Sequence, residues 1–269
     1  MRVASLLLAL ALLGGCAGER IEFPSEKLAG TREAKYPIPA RLVLPAGTGP
    51  YPVIILLHGC GGTGGALNGG PSHLSDWASR VTGWGYAAFI PDSFLARNIG
   101  SVCAPADQPK VTVTDRSGDV ISAALYLRTR PDIDGARIGV IGFSHGGATA
   151  ARLAIPPAGI AHPGLIRAAV DYYGSCVNPT AYTGVPLLAL AGEADDWGNP
   201  AATCRRFADA VGPGKPVAVT TYPGVTHAYD NPTIRTRIVN NGHALQYDAA
   251  AAEDSIRRTR AFLDQYVRQ

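Results

Sequence analysis

The sequence predicts an α/β fold in which a mostly parallel central sheet is covered by helices on both faces. The first observation is that apolar residues form unbroken runs, as at residues 53–57, instead of alternating with polar ones. Unbroken runs are typical of strands that are buried on both faces of a sheet. The second observation is that helical stretches separate these runs, and strand–helix alternation predicts a parallel sheet.

The predicted elements follow one another along the chain. Strands are predicted at 41–44, 53–57, 86–90, 137–143, 168–172, 186–190 and 217–222, and helices at 73–82, 119–128, 144–153, 201–211 and 249–267. Residues 94–117 show no clear period and are predicted to form a long loop. We expect this loop and residues 231–246 to shape a pocket.

The composition supports one packed domain. The 269 residues are 46% hydrophobic and 17% charged, which suits a folded core and argues against disorder. No repeat or low-complexity linker divides the chain, so we assign residues 36–269 to a single domain. The formal net charge is only +3. Because no basic cluster accompanies it, we expect neither a nucleic-acid partner nor electrostatic binding to an anionic membrane.

The N-terminal residues 1–15 have the features of an export signal. Arg2 supplies a positive start, and the apolar run at 3–13 is too short to cross a bilayer as a helix. The segment Leu-Gly-Gly-Cys that ends at Cys16 resembles a bacterial lipobox, whose cysteine becomes the lipidated first residue of the mature chain. We therefore expect a protein of the bacterial cell envelope, in the periplasm or at the outer membrane. Its membrane contact would be a lipid on Cys16 alone.

Two alternatives to a lipid anchor stay open. One is an ordinary signal peptide that contains a cysteine, which would leave the protein secreted, and the other is a cytosolic protein with an apolar start. Residues 16–35 are expected to form a polar tether and a lead-in to the folded domain.

Export changes the interpretation of the remaining cysteines, Cys60, Cys103, Cys176 and Cys204. An even number in an oxidising compartment predicts two disulfides, and four cysteines allow three pairings. We favour Cys60–Cys103 with Cys176–Cys204, and free buried thiols are the alternative. The chain has no CxxC motif and no Cys/His spacing typical of zinc, so no metal is expected.

The strongest signal for chemistry is the segment Gly-Phe-Ser-His-Gly-Gly at residues 142–147. It matches the G-x-S-x-G motif and lies between a predicted buried strand and an Ala-rich helix, as this motif requires. Gly142 and Gly146 let the backbone make a sharp turn that lifts Ser144 above the sheet. We therefore predict that Ser144 is a nucleophile. The backbone amide of His145, at the helix N-terminus, is predicted to bind developing negative charge.

The segment His-Gly-Cys-Gly-Gly at residues 58–62 directly follows the predicted strand 53–57. A loop in this position supplies the second donor to an oxyanion, here the backbone amide of Cys60, with Gly61 as the alternative. His58 is expected to hold the loop through hydrogen bonds rather than to act as the base.

The acid is expected in the segment Gly-Glu-Ala-Asp-Asp-Trp, which follows the predicted strand 186–190. It would orient the base and stabilise the imidazolium. Asp195 is favoured over Asp196, because the hydrolases that this segment resembles carry their acid three residues after this glycine. Asp171, after an earlier strand, is a further candidate, and Glu193 is expected at the surface.

The base is predicted to be His227, in the segment Tyr-Pro-Gly-Val-Thr-His-Ala-Tyr after the predicted strand 217–222. A histidine on a loop at the end of a strand can reach the Ser144 hydroxyl. His243 is the rival but lacks a preceding strand, and His73 and His162 resemble ordinary helix or loop histidines. The order Ser144, acid, His227 is the order of the α/β-hydrolase fold.

The sequence resembles the dienelactone hydrolase family over residues 41–267. The matching motifs are the four segments just described and the run Tyr-Asp-Ala-Ala-Ala-Ala-Glu-Asp, which leads into the last helix. The resemblance implies a compact α/β-hydrolase fold without a large lid domain and a Ser/Cys–His–Asp triad. Founding members of the family carry a cysteine nucleophile where this chain has Ser144, and serine versions of the family resemble general esterases.

The expected activity is hydrolysis of a small-molecule carboxylic ester through an acyl-enzyme, without a metal or an organic cofactor. A peptidase or acyltransferase on the same scaffold is one alternative, because the fold does not determine the chemistry. A non-catalytic surface lipoprotein that retains the fold is another. Phe143, Trp197 and Tyr229 are candidates for either the pocket wall or the core.

Overall fold

The computed structural model describes residues 18–156, 162–179 and 181–269. The predicted export signal and Cys16 therefore lie outside the described residues. Among the helices that are described, none has the length and apolar character needed to span a membrane.

Eight strands form the main sheet in the order β1-β2-β4-β3-β5-β6-β7-β8. The strands are β1 (Glu19–Phe23), β2 (Ile38–Val43), β3 (Tyr51–Leu57), β4 (Ala87–Pro91), β5 (Ile133–Phe143), β6 (Ala168–Tyr172), β7 (Leu187–Gly192) and β8 (Val217–Tyr222). Strands β4, β3, β5, β6, β7 and β8 pair in parallel, and β2 is antiparallel to both β1 and β4. The prediction of a mostly parallel sheet is confirmed.

Helices cover both faces of this sheet. They are α1 (His73–Gly83), α2 (Val113–Leu127), α3 (His145–Arg152), α4 (Pro200–Val211) and α5 (Ala249–Tyr266). Val53, Ile55 and Leu57 of β3 belong to a core shared with α2, α3 and α4, whereas Ile54 and Leu56 belong to a core shared with α1 and α5. Burial on both faces explains why the sequence of β3 is apolar without interruption.

The expected tether at 16–35 is wrong for residues 19–23, which form the edge strand β1. Ile21 and Phe23 alternate with exposed residues, so one face of β1 is buried while the other meets solvent. The ring of Phe23 packs 5.6 Å from the ring of Phe89, measured between centroids. This contact and the antiparallel pairing with β2 hold the segment on the domain.

The predicted loop 94–117 ends earlier than expected, because α2 begins at Val113 instead of residue 119. A capping box starts the helix: the Thr112 hydroxyl accepts from the Asp115 amide, and the Asp115 carboxylate accepts from the Thr112 amide. The first turn is too polar to show an apolar period, so the sequence pattern indicates only the later turns.

Residues 231–246 contain a short hairpin that the sequence pattern does not predict. Its strands are β9 (Ile238–Asn240) and β10 (His243–Leu245), which pair antiparallel. Val239 is 71% exposed, so most of the hairpin lacks the alternation of buried and exposed residues that predicts a strand. Leu245 forms a parallel bridge with His227, which places the hairpin against the loop that carries this histidine.

Candidate active site

Ser144 lies on the sharp turn between β5 and α3. Its backbone has φ 55° and ψ −117°, a strained conformation for a residue with a side chain. A Cβ atom at Gly142 would overlap the carbonyl oxygen of Gly146, and one at Gly146 would overlap the carbonyl oxygen of Leu57. Both glycines are therefore needed for the turn, as the motif predicts.

The structure brings Ser144, His227 and Asp195 into one hydrogen-bond chain. His227 Nε2 lies 2.9 Å from Ser144 Oγ, and His227 Nδ1 lies 2.7 Å from Asp195 Oδ2. The three residues follow β5, β8 and β7, so they meet at the carboxyl ends of parallel strands. Asp195 and His227 are both buried. The geometry can transfer the Ser144 proton to an imidazole that a carboxylate orients.

Backbone and ring contacts fix the acid and the histidine. Asp195 Oδ1 accepts a hydrogen bond from the Trp197 amide at 2.9 Å, which leaves Oδ2 for His227. The His227 ring lies between Tyr173 and Trp197, at centroid distances of 4.8 and 5.0 Å. The His227 amide also donates to the carbonyl oxygen of Ala244 at 3.3 Å, so the hairpin supports this loop.

The other candidates for acid and base lie elsewhere. Asp196 is exposed and contacts His243, whose Nδ1 lies 3.0 Å from Asp196 Oδ1. The His243 ring stacks on Trp197 at 4.9 Å, so this pair supports the outer side of the site. Glu193 forms an ion pair with Arg205 at the surface, as expected for a residue outside the site.

Asp171 is buried beside a disulfide instead of beside His227. Its Oδ1 accepts from the Gly174 amide at 2.7 Å, and its Oδ2 lies 3.6 Å from the sulfur of Cys176 and 3.7 Å from that of Cys204. Burial, together with the charge of Asp195, raises the pKa of the Asp171 carboxyl well above its usual range. The two sulfurs are bonded to each other and are not thiolate ligands for a metal.

The loop after β3 contains the predicted oxyanion donor Cys60. Cys60 is bonded to Cys103, and Cys176 is bonded to Cys204, so both disulfides have the favoured pairing. The Cys60 carbonyl oxygen also accepts from the Val102 amide at 2.9 Å. The disulfide and this hydrogen bond tie the loop after β3 to the segment before α2.

His58 holds the loop, as expected, rather than contacting Ser144. Its Nδ1 lies 2.8 Å from the carbonyl oxygen of Gly59, and its Nε2 lies 3.9 Å from Asp92 Oδ1. Burial and the nearby Arg116 charge lower the pKa of His58 well below its usual range. The ring is therefore neutral and donates from Nδ1 to Gly59.

Arg116 on α2 connects the two segments that carry the predicted oxyanion donors. Its side chain is fully buried, and its Nη2 donates to the carbonyl oxygen of His58 at 2.8 Å. Its Nη1 donates to His145 Nδ1, also at 2.8 Å. Burial lowers the pKa of Arg116 to about 10, so the guanidinium remains charged at neutral pH. Burial and the Arg116 charge lower the pKa of His145 to about 3, which keeps that ring neutral.

Sequence reasoning missed Arg116, although one signal was available. An arginine on a helix with many buried residues needs hydrogen-bond acceptors inside the protein if its side chain is itself buried. The sequence could therefore indicate a buried contact, but not that the acceptors belong to the loop after β3 and to α3.

His73 is a second residue that the sequence did not assign to the site. It lines a cavity of about 340 Å³ beside Ser144, together with Phe143 and Trp197. Its Nε2 lies 2.9 Å from Asp230 Oδ2. Burial alone would raise the pKa of Asp230, but its electrostatic interaction with His73 and the hydrogen bonds from His73, Tyr173 and Trp77 lower it overall. Tyr229 is fully buried and belongs to the core.

The fold and this hydrogen-bond chain define an α/β hydrolase. The chain belongs to the dienelactone hydrolase family, whose model matches residues 38–267. A comparison with curated protein sequences gives no significant match.

Solved structures support the same fold. The chain is similar to a putative dienelactone hydrolase from Klebsiella pneumoniae, with 21% identity and a TM-score of 0.67 over 93% of this chain and 100% of that one. A dienelactone hydrolase-like promiscuous phosphotriesterase from metagenomic libraries has 18% identity and a TM-score of 0.68, over 94% and 99% of the two chains. Esterase 2 from Thermogutta terrifontis has 18% identity and a TM-score of 0.62, over 91% and 94%. At these identities the likeness concerns the fold alone.

Proposed function

We propose that this protein is a serine carboxylic ester hydrolase in which Ser144 is the nucleophile, His227 the general base and acid, and Asp195 the group that orients His227. The observation that carries the proposal is the position of His227, with Nε2 at 2.9 Å from Ser144 Oγ and Nδ1 at 2.7 Å from Asp195. Esterases from Thermogutta terrifontis are among the proteins that share this fold.

In the proposed acylation step, His227 removes the proton of Ser144 as the hydroxyl oxygen attacks the ester carbonyl carbon. The backbone amides of Cys60 and His145 bind the resulting oxyanion, and one such donor typically lowers the barrier by ~3 kcal/mol. His227 then protonates the leaving alcohol, and an acyl group remains on Ser144. A water molecule activated by His227 releases the acid and restores the enzyme, while Asp195 keeps the imidazole in the required tautomer.

We also propose that the protein is exported to the bacterial cell envelope and anchored by a lipid on Cys16. The support is the lipobox-like segment before Cys16 and the two disulfides, which persist in oxidising compartments. Mass spectrometry of the mature N-terminus in a bacterial expression host tests this. A diacylglycerol-modified Cys16 is expected, and an unmodified N-terminus beyond residue 16 would contradict the anchor.

The esterase proposal is tested with p-nitrophenyl acetate and butyrate, using the chain from Ala17 onward. The Ser144→Ala variant is expected to lose at least about 10³-fold in kcat, because the nucleophile acts together with its base. Ser79→Ala, which removes an exposed hydroxyl from α1, is the matched control and should retain wild-type turnover. If folded wild type and Ser144→Ala are equally inactive on both esters, the proposal is wrong.

A further inference from the structure

Two cavities of the described chain meet at Ser144. The larger, of about 340 Å³, includes His227 in its wall, and the smaller, of about 180 Å³, lies on the side of α3. Tyr173, Trp197 and the Cys60–Cys103 disulfide contribute to the walls of both. Ser144 therefore stands between two spaces of different size.

Proton transfer decides which part of an ester enters which cavity. In the tetrahedral intermediate, the former carbonyl carbon carries the Ser144 oxygen, the oxyanion, the leaving oxygen and the acyl chain. The leaving oxygen must lie within hydrogen-bond reach of His227 Nε2, because this atom returns the proton. Since His227 lines only the larger of the two cavities, the alcohol belongs there, and the acyl chain is directed to the smaller one.

We infer that the enzyme is selective for esters of a short, polar acyl group with a larger, apolar alcohol. The inference rests on the proposed esterase function and adds the class of substrate. Acylation forms the bond between Ser144 Oγ and the acyl carbon and breaks the bond between that carbon and the alcohol oxygen. The Ser144 proton passes through His227 to the alcohol. Water later gives its hydroxyl to the acyl carbon, which releases the short acid, and its proton returns through His227 to Ser144.

The size of the smaller cavity limits the acyl chain. Its volume of about 180 Å³ is about half that of the larger cavity, about 340 Å³, so it suits a shorter chain. Ala148, in the first turn of α3, and Cys103 contribute to its wall. An octanoyl chain is therefore expected to fit the larger cavity better than the smaller one.

Polar groups lie along the smaller cavity. Ser175 Oγ donates to the carbonyl oxygen of Gly198 at 2.9 Å, so its lone pairs are left to accept a hydrogen bond. Gln108 also borders this cavity. A hydroxyl on the acyl group therefore has an acceptor in Ser175.

The wall of the larger cavity is more apolar than that of the smaller one. Leu74, Phe143, Ile234 and Leu245 contribute apolar side chains, and Leu74 and Phe143 are themselves almost fully buried. The cavity volume lies within the range of ordinary small-molecule sites, which bury most of a drug-sized ligand. An alkyl or aromatic alcohol would exclude water from this wall and gain binding energy from it.

Two isomeric esters test the inference without a change in overall hydrophobicity. Octyl acetate and ethyl octanoate have the same composition and differ in which side of the ester group carries the long chain. We expect kcat/KM for octyl acetate to exceed that for ethyl octanoate by about tenfold or more, because methylenes that do not fit a pocket cost this much. Ethyl 3-hydroxybutyrate should be hydrolysed faster than ethyl octanoate.

Two matched variants assign the preference to the two cavities. Ala148→Leu narrows the smaller cavity and should lower the butyrate-to-acetate ratio of the p-nitrophenyl esters by about fivefold or more. Its preference for octyl over ethyl acetate should stay as in wild type. Ile234→Trp narrows the larger cavity. It should lower the preference for octyl over ethyl acetate and leave the butyrate-to-acetate ratio as in wild type. Circular dichroism melts establish that both variants are folded.

The outcomes separate the inference from the proposed function. If ethyl octanoate is hydrolysed as fast as octyl acetate, the enzyme is an esterase but the assignment of the cavities is wrong. The assignment also fails if Ala148→Leu changes the alcohol preference and leaves the acyl ratio unchanged. If the folded wild type hydrolyses none of these esters, the esterase function itself fails, and the inference falls with it.

Discussion

At the scale of single residues, Arg116 links the loop after β3 to the start of α3. One guanidinium nitrogen donates to the His58 carbonyl oxygen and another donates to the His145 ring. The proposed oxyanion donors, the amides of Cys60 and His145, lie in these same two segments. A charged side chain is costly to bury, and its hydrogen bonds and the ring of Phe94 at 5.1 Å compensate for part of this cost. We regard Arg116 as a positioning residue, because it would act by holding the segments that carry the Cys60 and His145 amides.

The first prediction concerns Arg116→Lys. A lysine cannot donate to both acceptors in the planar geometry of a guanidinium, so the two segments should shift relative to each other. We expect kcat for p-nitrophenyl acetate to fall about 10- to 100-fold with little change in KM, since misplaced oxyanion donors weaken the transition state alone.

Arg97→Lys is the control for loss of a buried charge network. Arg97 makes two hydrogen bonds to Asp119, at 2.8 and 2.9 Å, and its other hydrogen bonds go to the carbonyl oxygens of Ser93 and Arg32. This variant should lower the melting temperature without a comparable loss of kcat. If both lysine variants lose kcat in parallel with stability, Arg116 has only a structural role.

Asp171 supplies the second prediction at this scale. Its pKa is raised by burial, so the folded protein binds a proton that the unfolded chain releases near pH 4. Stability is therefore lost as pH rises from about 4 through the folded pKa. Asp171→Asn removes this loss while keeping an oxygen for the Gly174 amide. We expect urea unfolding to show a larger gain in stability over wild type at pH 8 than at pH 5.

The Asp171→Asn variant also distinguishes the candidate acids when its esterase activity is measured. Asp171→Asn should retain most of the esterase activity, because Asp171 does not contact His227. Asp195→Asn should reduce kcat by about 10⁴-fold, because an amide at this place favours the wrong imidazole tautomer. Activity that depends on Asp171 and not on Asp195 would refute the proposed triad.

At the scale of elements, the capping box determines where α2 begins. Burial alone would raise the pKa of Asp115, but the hydrogen bonds from Arg32 and Thr112 lower it to about 2. The carboxylate thus stabilises the fold above about pH 4, and this contribution is lost as pH falls toward 2. Since Arg116 lies in the first turns of α2, the cap also supports the position of that side chain.

The prediction for this element is that Thr112→Ala destabilises the protein by about 1 kcal/mol, the usual cost of losing an N-cap hydroxyl. Urea unfolding at pH 7 measures it. Thr129→Ala, which removes an exposed hydroxyl just beyond the end of α2, is the matched control and should change stability by less than about 0.5 kcal/mol. Equal effects of the two substitutions would mean that the cap does not hold the helix.

How well an element could be predicted from the sequence depends on where its residues are buried. The strand β3 is buried on both faces, so its apolar run identifies it directly. The edge strand β1 and the hairpin β9–β10 bury only part of their residues, and their short sequences carry too little periodicity. The start of α2 depends on polar capping, which an apolar period does not show.

The residues of the candidate site also fall into those that the sequence could predict and those that it could not. Ser144, Asp195 and His227 could be predicted because each stands in a local motif after a strand. Arg116 and His73 could not, because their roles depend on partners distant in the chain, such as Asp230 for His73. Hydrogen bonds of this kind are determined by tertiary packing, and residue order alone does not contain them.

At the scale of the whole molecule, the sheet brings its loops to one edge, and the disulfides tie these loops to their surroundings. Cys60–Cys103 joins the loop after β3 to the segment before α2, across 43 residues. Cys176–Cys204 joins the loop after β6 to α4, across 28 residues. The first disulfide lies in the walls of both cavities at Ser144, whereas the second lies behind the site, beside Asp171.

The two disulfides should therefore affect stability alike and activity differently. In the chain-entropy model, closing loops of these lengths contributes about 4 kcal/mol each. We therefore expect urea unfolding to show a loss of stability of about 2–4 kcal/mol in each of two double variants, Cys60→Ala/Cys103→Ala and Cys176→Ala/Cys204→Ala. Only the first pair should lower kcat for p-nitrophenyl acetate by about tenfold or more, because the Cys60 amide then loses its support. Assays at 15 °C keep both variants folded. Equal losses of kcat in the two variants would mean that the Cys60–Cys103 disulfide stabilises the fold without positioning an oxyanion donor.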